Sequence, residues 1–137
     1  ACCRRWPCWD ESVCGSGCKI KIELFSNISE NIITDEVILT NERYVHIIEG
    51  HKEDFELYFN MIPGIIQEPD YILKDFKNEN TAMVIKHIDN TNLNVIVRLA
   101  VTNDEIHSKN SIMTFYRVRD KNLRKLQQKN KTIYKKE

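Results

Sequence analysis

The sequence predicts an α+β fold: amino-terminal helices packed on a four-stranded antiparallel sheet, followed by a short carboxyl-terminal helix. Three observations lead there. Apolar residues recur at helical spacing between residues 40 and 67. After Pro69 the pattern changes to alternation and short apolar runs, in the segments DYILKDF, TAMVIKHI, LNVIVRLAV and SIMTFYRV. The linkers between them, KNEN, DNTN and NDEIHSKN, are rich in Asn and Asp, which suit tight hairpins, so consecutive strands should pair as a meander.

Along the chain, KIKIELF from Lys19 alternates charged and apolar residues, which suits one short strand or extended arm. A polar connection over residues 26–35 leads to a brief apolar run, Val37 to Leu39. Thr40 is a good helix N-cap, with Glu42 in the first turn where the helix dipole favours a carboxylate. The helix it opens should run from Asn41 to about Glu49 and stop at Gly50, with Tyr44, Val45 and Ile48 toward the core. Lys52 to Met61 reads as a second helix with Phe55, Leu57, Tyr58 and Met61 as its apolar face. IPGIIQEP adds a short turn of helix, broken by Pro63, Gly64 and Pro69. After the four strands, Asp120 to Gln128 carries Leu123 and Leu126 three apart as a last helix, and the end is expected to fray.

At 137 residues, 42% hydrophobic and 29% charged, the chain suits one globular domain. All five cysteines (Cys2, Cys3, Cys8, Cys14, Cys18) and both tryptophans lie in the first eighteen residues. Residues 1–18 therefore form an extension distinct from the domain at 19–137; it could be foreign, bear disulfides, bind zinc or be merely thiol-rich. No apolar run nears the ~20 residues needed to span a bilayer, and no basic-then-apolar signal pattern opens the chain. The expected setting is the cytoplasm, without membrane partners. Net charge is zero, yet from Arg117 onward the chain carries +7 and the rest −7. A basic segment can contact phosphates, or can simply be a solvated helix with a basic tail.

Chemistry points to His46 and His51. Histidine alone titrates unperturbed near neutrality, so it is the natural proton carrier for metal-free cleavage of a phosphodiester. Arg43 lies three residues before His46 and projects with it. In the last strand, alternation places Ile112, Thr114, Tyr116 and Val118 on one side and Ser111, Met113, Phe115 and Arg117 on the other. Thr114 with Tyr116 is then one candidate set of phosphate-facing groups, and Ser111 with Arg117 the competing one. Arg98, a lone charge in an apolar strand, is either a snorkelling edge residue or a phosphate ligand. His87, on a strand, and His107, in a loop, are weaker candidates.

The ordered blocks TDEVILTNERYVHIIEGHKEDFELYF, IPGIIQEPDYILKD and NLNVIVRLAV followed by NSIMTFYRV resemble the phage-associated branch of the barnase/EndoU/colicin/RelE-like ribonuclease superfamily. Such domains occur as toxin or effector modules of phages and mobile elements. The resemblance covers about three quarters of the chain, from about Ile33. It implies a metal-independent endoribonuclease with no cofactor, cleaving transfer RNA or another RNA through 2′-hydroxyl attack. An immunity or antitoxin protein is the implied partner, and delivery to a target-cell cytoplasm fits such a module. The helix block implies Arg43, His46 and His51 in the site; the last strand adds Ser111, Thr114 and Tyr116, with Arg98 as a phosphate contact. A non-catalytic RNA- or protein-binding module on the same fold is the alternative.

Overall fold

The computed structural model describes residues 18–136. Cys2, Cys3, Cys8 and Cys14, and with them the choice between zinc, disulfides and free thiols, lie outside the described residues. The elements are β1 (Cys18–Lys19), α1 (Ile22–Phe25), β2 (Glu36–Ile38), α2 (Asn41–Tyr58), a 3-10 turn (Phe59–Met61), α3 (Ile62–Gln67), β3 (Tyr71–Lys74), β4 (Thr81–Ile88), β5 (Thr91–Arg98), β6 (Asn110–Val118), α4 (Asp120–Lys129) and β7 (Lys131–Lys135).

The α+β class and the antiparallel β3-β4-β5-β6 meander are present, but the sheet has seven strands rather than four, ordered β1-β2-β6-β5-β4-β3-β7. Three additions account for the difference. β2 joins β6 in parallel, pairing Val37 with Asn110 and Ile38 with Ser111. β1 pairs with β2, after which the KIKIELF segment turns into α1 instead of continuing as a strand. The carboxyl-terminal stretch does not fray: β7 pairs antiparallel with β3 and half-buries Ile133 and Tyr134, while its lysines keep this edge strand soluble. Between β4 and β5 the hairpin turns on Asp89 and Asn90, whose φ values of 51° and 63° are the left-handed conformation that a two-residue turn requires.

Each face of the sheet has its own cover. Ile72, Ala82, Val84, Leu93, Val95, Val97, Ile112 and Phe115 meet Ile47, Phe55, Ile62, Ile65 and Ile66 of the helices in the main core. The opposite face, with Leu73, Met83, Ile85 and Val118, is covered at one end only, by Leu123 and Leu126 of α4. Its other end is open.

Thr40 caps α2 as expected, its hydroxyl accepting from the Arg43 amide at 3.2 Å. Thr40→Ala is expected to cost about 1 kcal/mol, read as a lower urea midpoint. The helix breaks one residue later than expected: His51, at φ −140° and ψ 41°, is the non-helical residue, next to Gly50, whose low helix propensity favours a break. The core-facing stripe also differs. Val45 is 48% exposed and Leu57 64%, whereas Ile47 and Phe55 are buried. With apolar residues at 44, 45, 47 and 48, local spacing leaves the phase open, and docking selects Tyr44, Ile47, Ile48 and Phe55.

Candidate active site

β2 covers β6 only as far as Ser111, so the main chain from Ile112 onward needs other partners on that edge. Helix α2 runs along it and supplies them. Arg43 donates from Nε and Nη2 to the Met113 carbonyl at 3.0 and 2.7 Å. Further along, the Asp54 carboxylate accepts from the Arg117 amide at 3.1 Å and from its Nε at 2.6 Å. The helix is thereby held beside the strand, and its His51 ring stacks on Tyr116, centroids 5.2 Å apart and planes at 27°.

β6 departs from simple alternation. Arg98 pairs with Ser111 and Val97 with Ile112, but Ile96 pairs with Thr114, so Met113 is the extra residue of a bulge. Its effect on side chains is large. Ser111, three residues before Thr114, lies on the same face as Thr114 and Tyr116, together with Asn94, Ile96 and Arg98 of β5. The two competing sets of hydroxyls therefore merge. Arg117 is separated from them: it faces the other way, paired with Asp54 and 5.9 Å over the Tyr58 ring, and its bond to Asp54 raises its guanidinium further above its ordinary range. Its place as a partner of Ser111 is not supported by this geometry.

At the open end of this face lies a groove of about 610 Å³, lined by Arg43, Arg98, Lys77, Thr114, Met113 and Ile96 among others. The β3–β4 loop forms one wall and is shaped by Asp75, whose carboxylate accepts from the amides of Lys77 and Asn78. Arg43 presents to the groove what its contact with Met113 leaves free. Arg98 is gripped by Asp104 at 3.2 Å and donates to the Leu99 carbonyl, while its side chain remains partly exposed. The Asp104 carboxyl is held below the usual carboxylate range, foremost by the Val101 amide; burial opposes this, and the hydrogen bond and charge of Arg98 add to the lowering. Ser111 is half-buried and donates to the Lys109 carbonyl at 3.4 Å.

Tyr116 stands between this groove and the apolar end of the face, packed on the cluster under α4. Burial pushes its phenol above the ordinary value; the Asn94 amide bond opposes this and the Asp75 carboxylate adds to it. A raised folded value means the native state holds this proton more tightly than the unfolded chain. The resulting stabilisation is full below the unfolded value near 10 and lost as pH rises through the folded one. An absorbance titration of wild type minus Tyr116→Phe is expected to show this phenol ionising above pH 10.

His46 is exposed, one turn after Arg43 on α2. His107 is exposed in the β5–β6 loop. His87 lies at the far end of the same face in a second hollow of about 430 Å³, one ring nitrogen 3.1 Å from Asn92 Oδ1. Asp70 and Asp120 line that hollow with Lys136, whereas the groove sets Arg43, Lys77 and Arg98 against Asp75 and Glu79, so the groove is the more favourable of the two for a phosphate. One residue of the site was missed in sequence: Asn94, buried opposite Tyr116, whose signal was a polar side chain inside an apolar run.

No helix among the described residues is long and apolar enough to cross a membrane. No curated protein and no solved structure matches the chain. Residues 20–135 match the family described as phage-Barnase-EndoU-ColicinE5/D-RelE like nuclease 2. That match runs from Ile20, buried directly after β1, through β7, and takes in both the helix and the strand that meet at Tyr116. The chain therefore belongs to the phage-Barnase-EndoU-ColicinE5/D-RelE like nuclease 2 family.

Proposed function

We propose that the protein is a metal-independent endoribonuclease that cleaves RNA, transfer RNA or another structured RNA being the fitting substrate. The observation that supports this best is the contact of His51 with Tyr116 beside a groove holding Arg43, Arg98 and Thr114. RNA carries its own nucleophile, so what the protein must add is proton transfer and charge stabilisation. One histidine takes the 2′-hydroxyl proton, the 2′-oxygen bonds to phosphorus, and the bond from phosphorus to the 5′-oxygen breaks as the second histidine protonates that oxygen. The products are a 2′,3′-cyclic phosphate and a 5′-hydroxyl. His46 and His51 share these two roles, Arg43 and Arg98 neutralise the phosphate, and Ser111, Thr114 and Tyr116 orient it. The basic side chains of α4, on the same side of the sheet, extend the contact along the RNA backbone.

In this role the protein acts as a toxin or effector of a phage or mobile element, meets RNA in its own or a target cell's cytoplasm, and is restrained by an immunity protein that closes the groove. Incubation with total RNA in EDTA tests the enzymatic reading. Fragments ending in 2′,3′-cyclic phosphate support it. Intact RNA, retained in a salt-sensitive way, supports a binding module in its place.

A further inference from the structure

Four asparagines are buried among the described residues, and in three of them both ends of the amide are engaged. Asn110 donates to the Thr34 carbonyl and accepts from the Ala100 amide, each at 2.8 Å. Asn130 donates to the Leu126 carbonyl and accepts from the Phe76 amide, each at 3.0 Å. Asn92 donates to the Val118 carbonyl and the Asp120 carboxylate, with its oxygen against the His87 ring. Each of these ties separate stretches of chain together, which explains a buried amide on structural grounds alone.

Asn94 differs. It is fully buried, its Nδ2 donates to the Tyr116 hydroxyl oxygen at 3.3 Å, and its Oδ1 is the one buried side-chain polar atom among the described residues without a hydrogen-bond partner. Its single bond goes to a side chain of the groove face, and leaving its other end unpaired costs stability that a leucine there would not. Stability does not account for this residue.

We propose that Asn94 is a positioning residue for Tyr116: its amide occupies the acceptor side of the phenol oxygen, leaving the phenol's own O–H to be donated to a phosphate oxygen in the groove. A phenol has one proton to give and will otherwise rotate to give it to the nearest acceptor. The stacked His51 ring fixes the plane of Tyr116, and Asn94, its cross-strand partner, fixes the direction of the hydroxyl. Spending stability on a functional geometry is a recurrent compromise in enzyme sites. The inference rests on the groove being the RNA-cleaving site.

The test compares wild type, Asn94→Leu, Tyr116→Phe and the double variant as full-length protein. Asn94→Leu, which removes the amide while keeping the volume, is expected to melt no lower than wild type. Without the amide bond that favours its phenolate, Tyr116 should ionise at higher pH, read in the absorbance titration against Tyr116→Phe. RNA cleavage should fall at least tenfold, and Asn94→Leu should add nothing further in the Tyr116→Phe background. A lower melting temperature with an unmoved titration, or losses that multiply in the double variant, would overturn the proposal. If Asn94→Leu does not fold, Asn94→Ala gives the titration and cleavage readouts, its melting temperature being lowered by the cavity it leaves. Wild-type protein that leaves RNA intact removes the ribonuclease reading and the positioning role with it. A titration that does not move overturns the coupling of Asn94 to Tyr116 itself.

Discussion

His51→Ala is expected to slow RNA cleavage by about a hundred- to ten-thousand-fold, the range over which a positioned acid or base contributes. The ring lies at the kink of α2, stacked on Tyr116 and half-buried, so its position is set by packing on one side and backbone geometry on the other. Losing the stack costs about 0.5–1.5 kcal/mol of packing, which leaves the protein folded and makes the kinetic effect readable. The pH profile then assigns the role. Wild type should show a bell; the variant lacking the general base should lose the acidic limb, and the variant lacking the general acid the alkaline limb. His46→Ala should remove the limb that His51→Ala leaves. Single-turnover cleavage within tenfold of wild type in the double variant would show that neither imidazole carries the proton.

Arg43→Ala is expected to cost about a hundred- to thousand-fold in cleavage, as removal of one preorganised charge-stabilising donor does. Arg43 has two jobs that a single point charge cannot perform together. Two of its nitrogens hold the Met113 carbonyl, and the rest of the guanidinium faces the groove. Arg43→Lys should therefore rescue poorly, since an ammonium lacks the planar fork. The variant should also lose about 1–3 kcal/mol in urea denaturation, because a partly buried carbonyl is left without its donor. Arg117→Ala is the control: its guanidinium is engaged by Asp54 and Tyr58 on the far side of the strand, and cleavage should stay within tenfold of wild type.

Much of the fold was legible because alternation and turn chemistry are local. The apolar runs of β4 and β5 stand out as strands buried on both faces, and Asp89-Asn90 marks its hairpin without reference to anything distant. β2 was legible only as an apolar run, since three residues cannot announce that they will pair in parallel with a strand more than seventy positions away. β7 was hidden by lysines that protect an edge, a composition that in isolation resembles a solvated tail. In the site, His51 and Tyr116 were named from residue type, but their contact depends on a helix docking to a strand edge. The merging of Ser111 with Thr114 was beyond reach because a bulge does not disturb composition: SIMTFYRV scans as faultless alternation in either phase. Asn94 was visible as a letter and invisible as an anomaly until its unpartnered oxygen was seen.

The supernumerary Met113 has a genealogical consequence. Substitution can exchange one hydroxyl for another along this strand, but it cannot move a hydroxyl from one side of the sheet to the other. An inserted codon absorbed as a bulge does not move one either: Ser111 and Thr114, on the two sides of Met113, keep the facing that their partners Arg98 and Ile96 dictate, and the Met113 carbonyl is held by Arg43. The extra residue thus preserves the parity of both flanks, and aligning a kindred chain that lacks it without a gap would assign every polar group beyond it to the wrong compartment.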